Sequence, residues 1–90
     1  MVKMSLSEET LDLVKSGLNL KKRVLKLNLD EYRKRLAEFE SKYNMPTRQF
    51  LRKFNAGLLR DDQYLFDWLF AHQACKELSE KLTLLKQVRL

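Results

Sequence analysis

The chain has few of the residues that interrupt helices or build chemical sites. Its 90 residues include two glycines, one proline, one cysteine and one histidine. A single cysteine excludes an internal disulfide and any zinc site made of several cysteines. The scarcity of glycine and proline, with abundant Leu, Lys, Glu and Arg, favours helices. We therefore expect an all-α protein that forms a single helical domain over residues 1–90.

Long apolar runs are also absent from the sequence. No stretch approaches the roughly 20 apolar residues that a membrane span requires. The first residues carry Glu8 and Glu9 and lack the apolar run of a secretory signal peptide. These features predict a cytoplasmic protein without a membrane partner. Hydrophobic residues nevertheless make up 44% of the chain, which is enough for a packed core.

The sequence contains signals for the start and the possible end of a first helix. Ser5 or Ser7 can cap its start, and Ser5 stands three residues before Glu8, as in a capping box. Gly17 either ends this helix as a C-cap or only weakens a longer one. Acidic residues come first in segment 30–43, which has no breaker and is predicted to be helical.

Two further helices are predicted after the only proline. Asn44-Met45-Pro46 ends the preceding helix, because proline disfavours helical geometry at the residue before it. Thr47 can cap a short helix over 48–56, with Gly57 as its C-cap. Asp61 or Asp62 then caps a last helix, predicted from Asp62 to about Gln87. Apolar residues repeat along it with the spacing of a coiled coil or helical hairpin, at Tyr64, Trp68, Ala71, Cys75, Leu78, Leu82 and Leu85.

The segment from Leu18 to Leu29 fits two patterns. Alternation at Leu25, Leu27 and Leu29 indicates a short half-buried strand. Spacing of four and three residues indicates a helix, and it places more of the apolar residues on one seam. We favour the helix, whose seam is Leu18, Lys22, Leu25, Leu29, Tyr32, Leu36, Phe39 and Tyr43.

The resulting architecture is an antiparallel helical hairpin with a short bridging helix. The long N-terminal helical region packs against the last helix, and the 48–56 helix joins them. The alternative is a ribbon-helix-helix-like fold with an added C-terminal helix. The predicted core is Leu25, Leu29, Leu36, Phe39, Phe50, Phe54, Trp68, Cys75, Leu78 and Leu82.

The first half of the last helix is apolar on two faces, with Leu65 on the second. Such a helix is normally buried on both sides, and a chain this short has few elements to cover it. This excess of apolar helix surface predicts that the chain binds a partner protein or forms a homo-oligomer. The candidate partner-binding residues are Phe66, Trp68, Leu69 and Phe70.

Catalytic and metal-binding chemistry finds little support. His72 and Cys75 lie three residues apart, but a cysteine on an apolar seam behaves as a small hydrophobe. Asp62 and His72 are separated by roughly 15 Å of helix rise, too far to share an ion. Asp61 and Asp62 are better explained as helix caps. We predict no catalytic residues, no metal site, no cofactor and no enzyme activity.

The net charge of +6 suits nucleic acid or an acidic protein surface. If residues 23–29 form a strand, the following helices resemble those of a ribbon-helix-helix repressor. That resemblance implies a dimeric DNA-binding regulator in which Lys22, Lys26 and Asn28 reach the bases. DNA is therefore the alternative partner. If the basic residues bind no partner, they form a solvated helix face.

A second resemblance covers Lys42 to Leu69. This run resembles small archaeal and bacterial antitoxin-like proteins in its Tyr-x-Met turn, capped short helix, Phe-x-x-Gly exit and aromatic helix with tryptophan. It departs from them at Leu58-Leu59-Arg60, where Glu-Leu-Gly is common. The resemblance implies a protein that neutralises a toxin-like partner, and it implies no residue-level mechanism. The matching residues are Tyr43, Met45, Thr47, Phe50, Phe54, Gly57, Asp61, Asp62, Phe66 and Trp68.

Overall fold

The computed structural model describes residues 7–60 and 62–89. Within these ranges the chain forms three α-helices and no strand. They are α1 (Glu8–Tyr43), α2 (Thr47–Asn55) and α3 (Gln63–Lys86). The predicted all-α class is thus confirmed. The predicted caps Ser5 and Asp61 lie outside the described residues.

Helix α1 begins at a side-chain cap and runs through Gly17. The Ser7 hydroxyl accepts a hydrogen bond from the Thr10 backbone N–H at 3.2 Å. Glu8 and Glu9 occupy the first turn, where carboxylates favour the positive end of the helix dipole. The interpretation of Gly17 as a helix end is therefore wrong, and the reading of one longer helix is confirmed.

Gly17 provides a clean test of this continuous helix. Nothing lies within 4 Å of a Cβ built at this position. Gly17→Ala should raise the free energy of unfolding by about 0.5–1 kcal/mol, because alanine loses less backbone entropy in a helix. Gly57→Ala should lower it, since Gly57 has a φ of +71°. Urea denaturation of both variants checks the opposite signs, and a destabilising Gly17→Ala would contradict a continuous α1.

Residues 18–29 are helical throughout, so the strand interpretation is wrong. Leu25 and Leu29 lie one helical turn apart and are only 4% and 3% exposed, whereas Leu27 between them is 69% exposed. A strand would have placed all three side chains on one face. The ribbon-helix-helix-like alternative needs a strand at this position and is therefore also wrong.

The turn between α1 and α2 differs from the predicted capping. Asn44 ends α1 in the left-handed conformation with φ 52°, as expected before Pro46. The residue preceding α2 is Pro46, which provides no side-chain cap. Instead, the Glu40 carboxylate accepts the Thr47 backbone N–H at 2.7 Å. The prediction that Thr47 caps this helix is wrong, because Thr47 is already its first residue.

Helix α3 begins close to its predicted position. The Asp62 carboxylate accepts the Tyr64 backbone N–H at 3.0 Å, which satisfies one of the free donors of the first turn. The helix ends at Lys86, one residue before the predicted Gln87. Gly57 follows α2 with a positive φ, in keeping with its predicted role at the helix end.

The core consists of two clusters along the contact between α1 and α3. The leucine cluster comprises Leu25, Leu29 and Leu82, with Cys75, Leu78 and Leu85 packed against it. The aromatic cluster is built on the buried side chains Phe50, Leu65 and Trp68. Later residues of α1 meet earlier residues of α3, so the contacts run in opposite order along the two helices.

Trp68 is the centre of the aromatic cluster and is 0% exposed. Its ring is stacked with those of Phe50, Tyr43 and Phe39, at centroid distances of 4.1, 5.5 and 5.7 Å. The indole Nε1 donates a hydrogen bond to the Thr47 hydroxyl at 3.0 Å. One side chain therefore holds all three helices together, and its only polar atom is satisfied.

Candidate partner-binding surface

Helix α3 presents aromatic rings to solvent on the side away from Trp68. Phe66 is 46% exposed and Phe70 is 61% exposed. The two lie four residues apart, so they are neighbours on one helix face. Leu69 beside them is half-buried against the aromatic cluster. Of the four predicted partner-binding residues, Phe66 and Phe70 are thus exposed, and Trp68 lies in the core.

The two exposed rings are each held by one intramolecular contact. The Phe66 ring meets Phe54 of α2 edge to face, with centroids 5.9 Å apart. The Phe70 ring meets Tyr32 of α1 in a similar geometry at 6.1 Å. These contacts restrict the rotamers of both side chains and leave much of each ring free. Rings fixed in this way lose less conformational entropy when a second surface covers them.

A cleft of about 580 Å³ lies between α1 and α3, beside Phe70. Its apolar walls come from Phe39, Tyr64, Phe70 and Ala71. Tyr64 is exposed although it belongs to the predicted seam, and the Lys42 ammonium lies 4.0 Å from its ring centroid in a cation–π contact. Phe70 belongs both to the cleft and to the pair of exposed rings, and we call the cleft and the two rings the aromatic face: Phe39, Tyr64, Phe66, Phe70 and Ala71.

Charges around the aromatic face are balanced. Arg35 and Lys42 supply two positive groups to the cleft, and Glu38 and Asp67 supply two negative ones. A balanced set does not select an anionic ligand, whereas an apolar centre with a mixed polar rim resembles protein–protein interfaces. The sequence did not indicate Arg35, Glu38 and Lys42, because only the packed structure brings these α1 residues beside α3.

The chain matches no protein-family model, no curated protein and no solved structure. The resemblance to antitoxin-like proteins therefore remains a prediction from the sequence.

Cys75, which was considered for catalysis, lies in an apolar environment. Cys75 packs against the leucine cluster, and this burial raises the pKa of its thiol, while the positive charge of Arg33 acts in the opposite direction. A thiol with a raised pKa is a poor nucleophile at neutral pH.

Across residues 7–60 and 62–89, no three His, Cys, Asp or Glu side chains are grouped to hold a metal ion. In the same ranges, no helix is long and apolar enough to cross a membrane.

The three residues predicted to read DNA bases do not share one helix face. At 3.6 residues per turn, Asn28 lies about 120° around α1 from Lys22 and about 160° from Lys26. Lys22 and Lys26 instead line a groove beside Leu29 and Leu82. Arg23, which adjoins Lys22 in the sequence, lines the same groove, and the sequence did not predict that Arg33 and Lys86 would join them there.

Proposed function

We propose that the protein is a non-catalytic, antitoxin-like binding module that buries the aromatic face of α3 against a partner protein. The observation that carries this proposal is the exposure of Phe66 and Phe70 on one face. Aromatic side chains concentrate binding energy at protein interfaces. Full burial of a phenylalanine is worth about 1.5–3 kcal/mol, so covering the exposed half of each ring offers roughly 1 kcal/mol per ring.

The proposed arrangement behind this surface is an antiparallel helical hairpin in which α2 is the bridging helix. The contact of Phe54 with Phe66 and the stacking of Phe50 on Trp68 support it, since both link α2 to α3. In this arrangement α2 supports the aromatic face from behind. The partner's apolar residues would contact the free edges of the two phenylalanine rings and enter the cleft beside them.

The antitoxin-like role rests on the sequence resemblance over Lys42 to Leu69. The segment contains α2 and the aromatic start of α3, so the resembling residues include Phe66 of the aromatic face, Phe54 that contacts it, and the core residue Trp68. A toxin-like protein is accordingly the proposed partner. Neutralisation would follow from occupation of the toxin's functional surface by this face and requires no chemistry from the chain itself.

A second copy of the chain is the other proposed partner, and an apolar stripe on α1 supports it. Leu13, Leu20, Val24 and Leu27 are exposed and follow the spacing of a coiled-coil seam, on the side of α1 opposite Leu25 and Leu29. Sedimentation equilibrium of the purified chain measures this self-association independently of any toxin.

The double variant Phe66→Ala, Phe70→Ala tests the proposed surface. It should abolish stoichiometric capture of the partner by the tagged chain in the native host, while helicity in circular dichroism stays unchanged. The physical reason is that both rings are largely outside the core, so their loss removes interface area with little effect on packing.

The matched control is Leu58→Ala, Leu84→Ala, which removes two exposed leucines away from the aromatic face. It should leave capture intact. The captured protein should arrest growth when produced alone and be neutralised by co-production of this chain. Equal loss of capture in both double variants, or a captured protein without toxicity, would contradict the antitoxin-like proposal, and loss of helicity in the phenylalanine variant would assign those rings to the core.

A further inference from the structure

A second surface, near the end of α3, carries a strong positive charge. It is a groove of about 430 Å³ beside the leucine cluster, where α3 ends against α1. No carboxylate lines it. We call it the basic groove, and its cations are Lys22, Arg23, Lys26, Arg33 and Lys86.

The two leucines at the floor of the basic groove expose little of their own surface. Leu29 and Leu82 form this floor, but both are buried beneath the cationic side chains. An amphipathic acidic helix would need exposed apolar surface here to bury its own apolar side. Binding in the groove must therefore depend mainly on charge, and this favours a ligand that is anionic along its whole length.

The cations extend along the helix axis and are not gathered at one point. Lys22 and Lys26 are one turn apart, and Arg33 lies about 16 Å from Lys22 along α1 at 1.5 Å per residue. Duplex DNA carries one phosphate per 3.4 Å of helix axis on each strand, so the groove spans the axial length of about five base pairs. The ion pair of Arg33 with Asp30 is exposed and 4.0 Å long, and it opposes a phosphate only weakly.

We propose that the basic groove binds the phosphate backbone of duplex DNA without reading its sequence. No aromatic side chain lines the groove. Proteins that hold single strands stack bases on aromatic rings, so the groove suits a duplex whose bases stay paired. This differs from base reading by a β-ribbon, because it uses α-helical cations that contact phosphates and leaves Asn28 outside the site. It is independent of the proposed protein partner.

The test is fluorescence anisotropy of a short labelled DNA duplex with the full-length chain over a salt series. The logarithm of the binding constant should fall with the logarithm of salt concentration, with a slope no steeper than about −4.5 for five phosphate contacts. Lys22→Gln, Lys26→Gln should reduce that slope by about two and weaken binding roughly tenfold or more. Circular dichroism should show this double variant folded, since neither lysine is buried.

The matched control is Arg48→Gln, Arg52→Gln, two exposed cations of α2 at the other end of the molecule. Each pair lowers the net charge of +6 by two, so the two double variants remove the same charge at different positions. The control should retain the wild-type slope. Equal weakening by both pairs, or no duplex binding at low salt, would overturn the proposal. Poly-L-glutamate binding as tight as the duplex, with the same lysine dependence, would overturn it in favour of an acidic polypeptide.

Discussion

Trp68→Ala should lower the free energy of unfolding by about 3–5 kcal/mol, the largest loss expected from any single truncation considered for this chain. Truncating a fully buried tryptophan costs about 3–5 kcal/mol, and native domains have only about 0.05–0.15 kcal/mol of stability per residue. The loss is concentrated at Trp68 because its ring stacks with Phe50 of α2 and with Tyr43 and Phe39 of α1. Denaturant titration followed by far-UV circular dichroism measures the change in free energy of unfolding.

Two comparisons separate the contributions at this position. Trp68→Phe keeps an aromatic ring but leaves the Thr47 hydroxyl without its hydrogen bond, so it should cost less than the alanine variant. Phe70→Ala, at an exposed ring of the same helix, should cost roughly 1 kcal/mol or less. If Trp68→Ala and Phe70→Ala cost the same, Trp68 is not the centre of the core.

Leu27→Pro should cost about 3 kcal/mol or more, although the side chain it removes is mostly exposed. Proline in a helix interior removes one backbone hydrogen bond and clashes with the preceding turn. Position 27 is the centre of the segment whose alternating leucines also fit a strand. A loss of this size in a domain of this length lowers the melting temperature by roughly 10–25 °C, which differential scanning calorimetry measures directly.

Two control variants isolate the backbone effect at position 27. Leu27→Ala should change the free energy of unfolding by no more than about 0.5 kcal/mol, because the leucine contributes little packing. Glu8→Pro should also be tolerated, since Glu8 is the first residue of α1 and Ser7 before it is already extended. A small effect of Leu27→Pro, comparable to these two, would show that α1 is interrupted near this residue.

Helix positions and most of the core followed from the spacing of apolar residues. The predicted seam of α1, from Leu18 to Tyr43, is buried or half-buried at every position. The strand alternative could not be removed from the sequence, because Leu25, Leu27 and Leu29 satisfy both periodicities. Packing distinguishes the helix from the strand, because α3 covers only the face that carries Leu25 and Leu29, and Leu27 remains in solvent.

The two surfaces were harder to predict than the fold. The sequence placed Phe66, Trp68, Leu69 and Phe70 together as an apolar excess, but periodicity does not say which rings α1 and α2 will cover. Trp68 is covered because Phe50 stacks on it and Thr47 accepts its N–H. The basic groove was missed as a unit because Lys86 joins Lys22 and Lys26 only when α3 packs against α1.

We propose the aromatic face as the surface where a partner protein binds. Site-specific photo-crosslinking in the native host tests it most directly, with p-benzoylphenylalanine placed at position 66 or 70 and, as control, at the exposed position 58. We expect one adduct of discrete mass, containing a single other protein, from positions 66 and 70 and none from position 58. No adduct at positions 66 and 70, or the same adduct at all three positions, would contradict the claim.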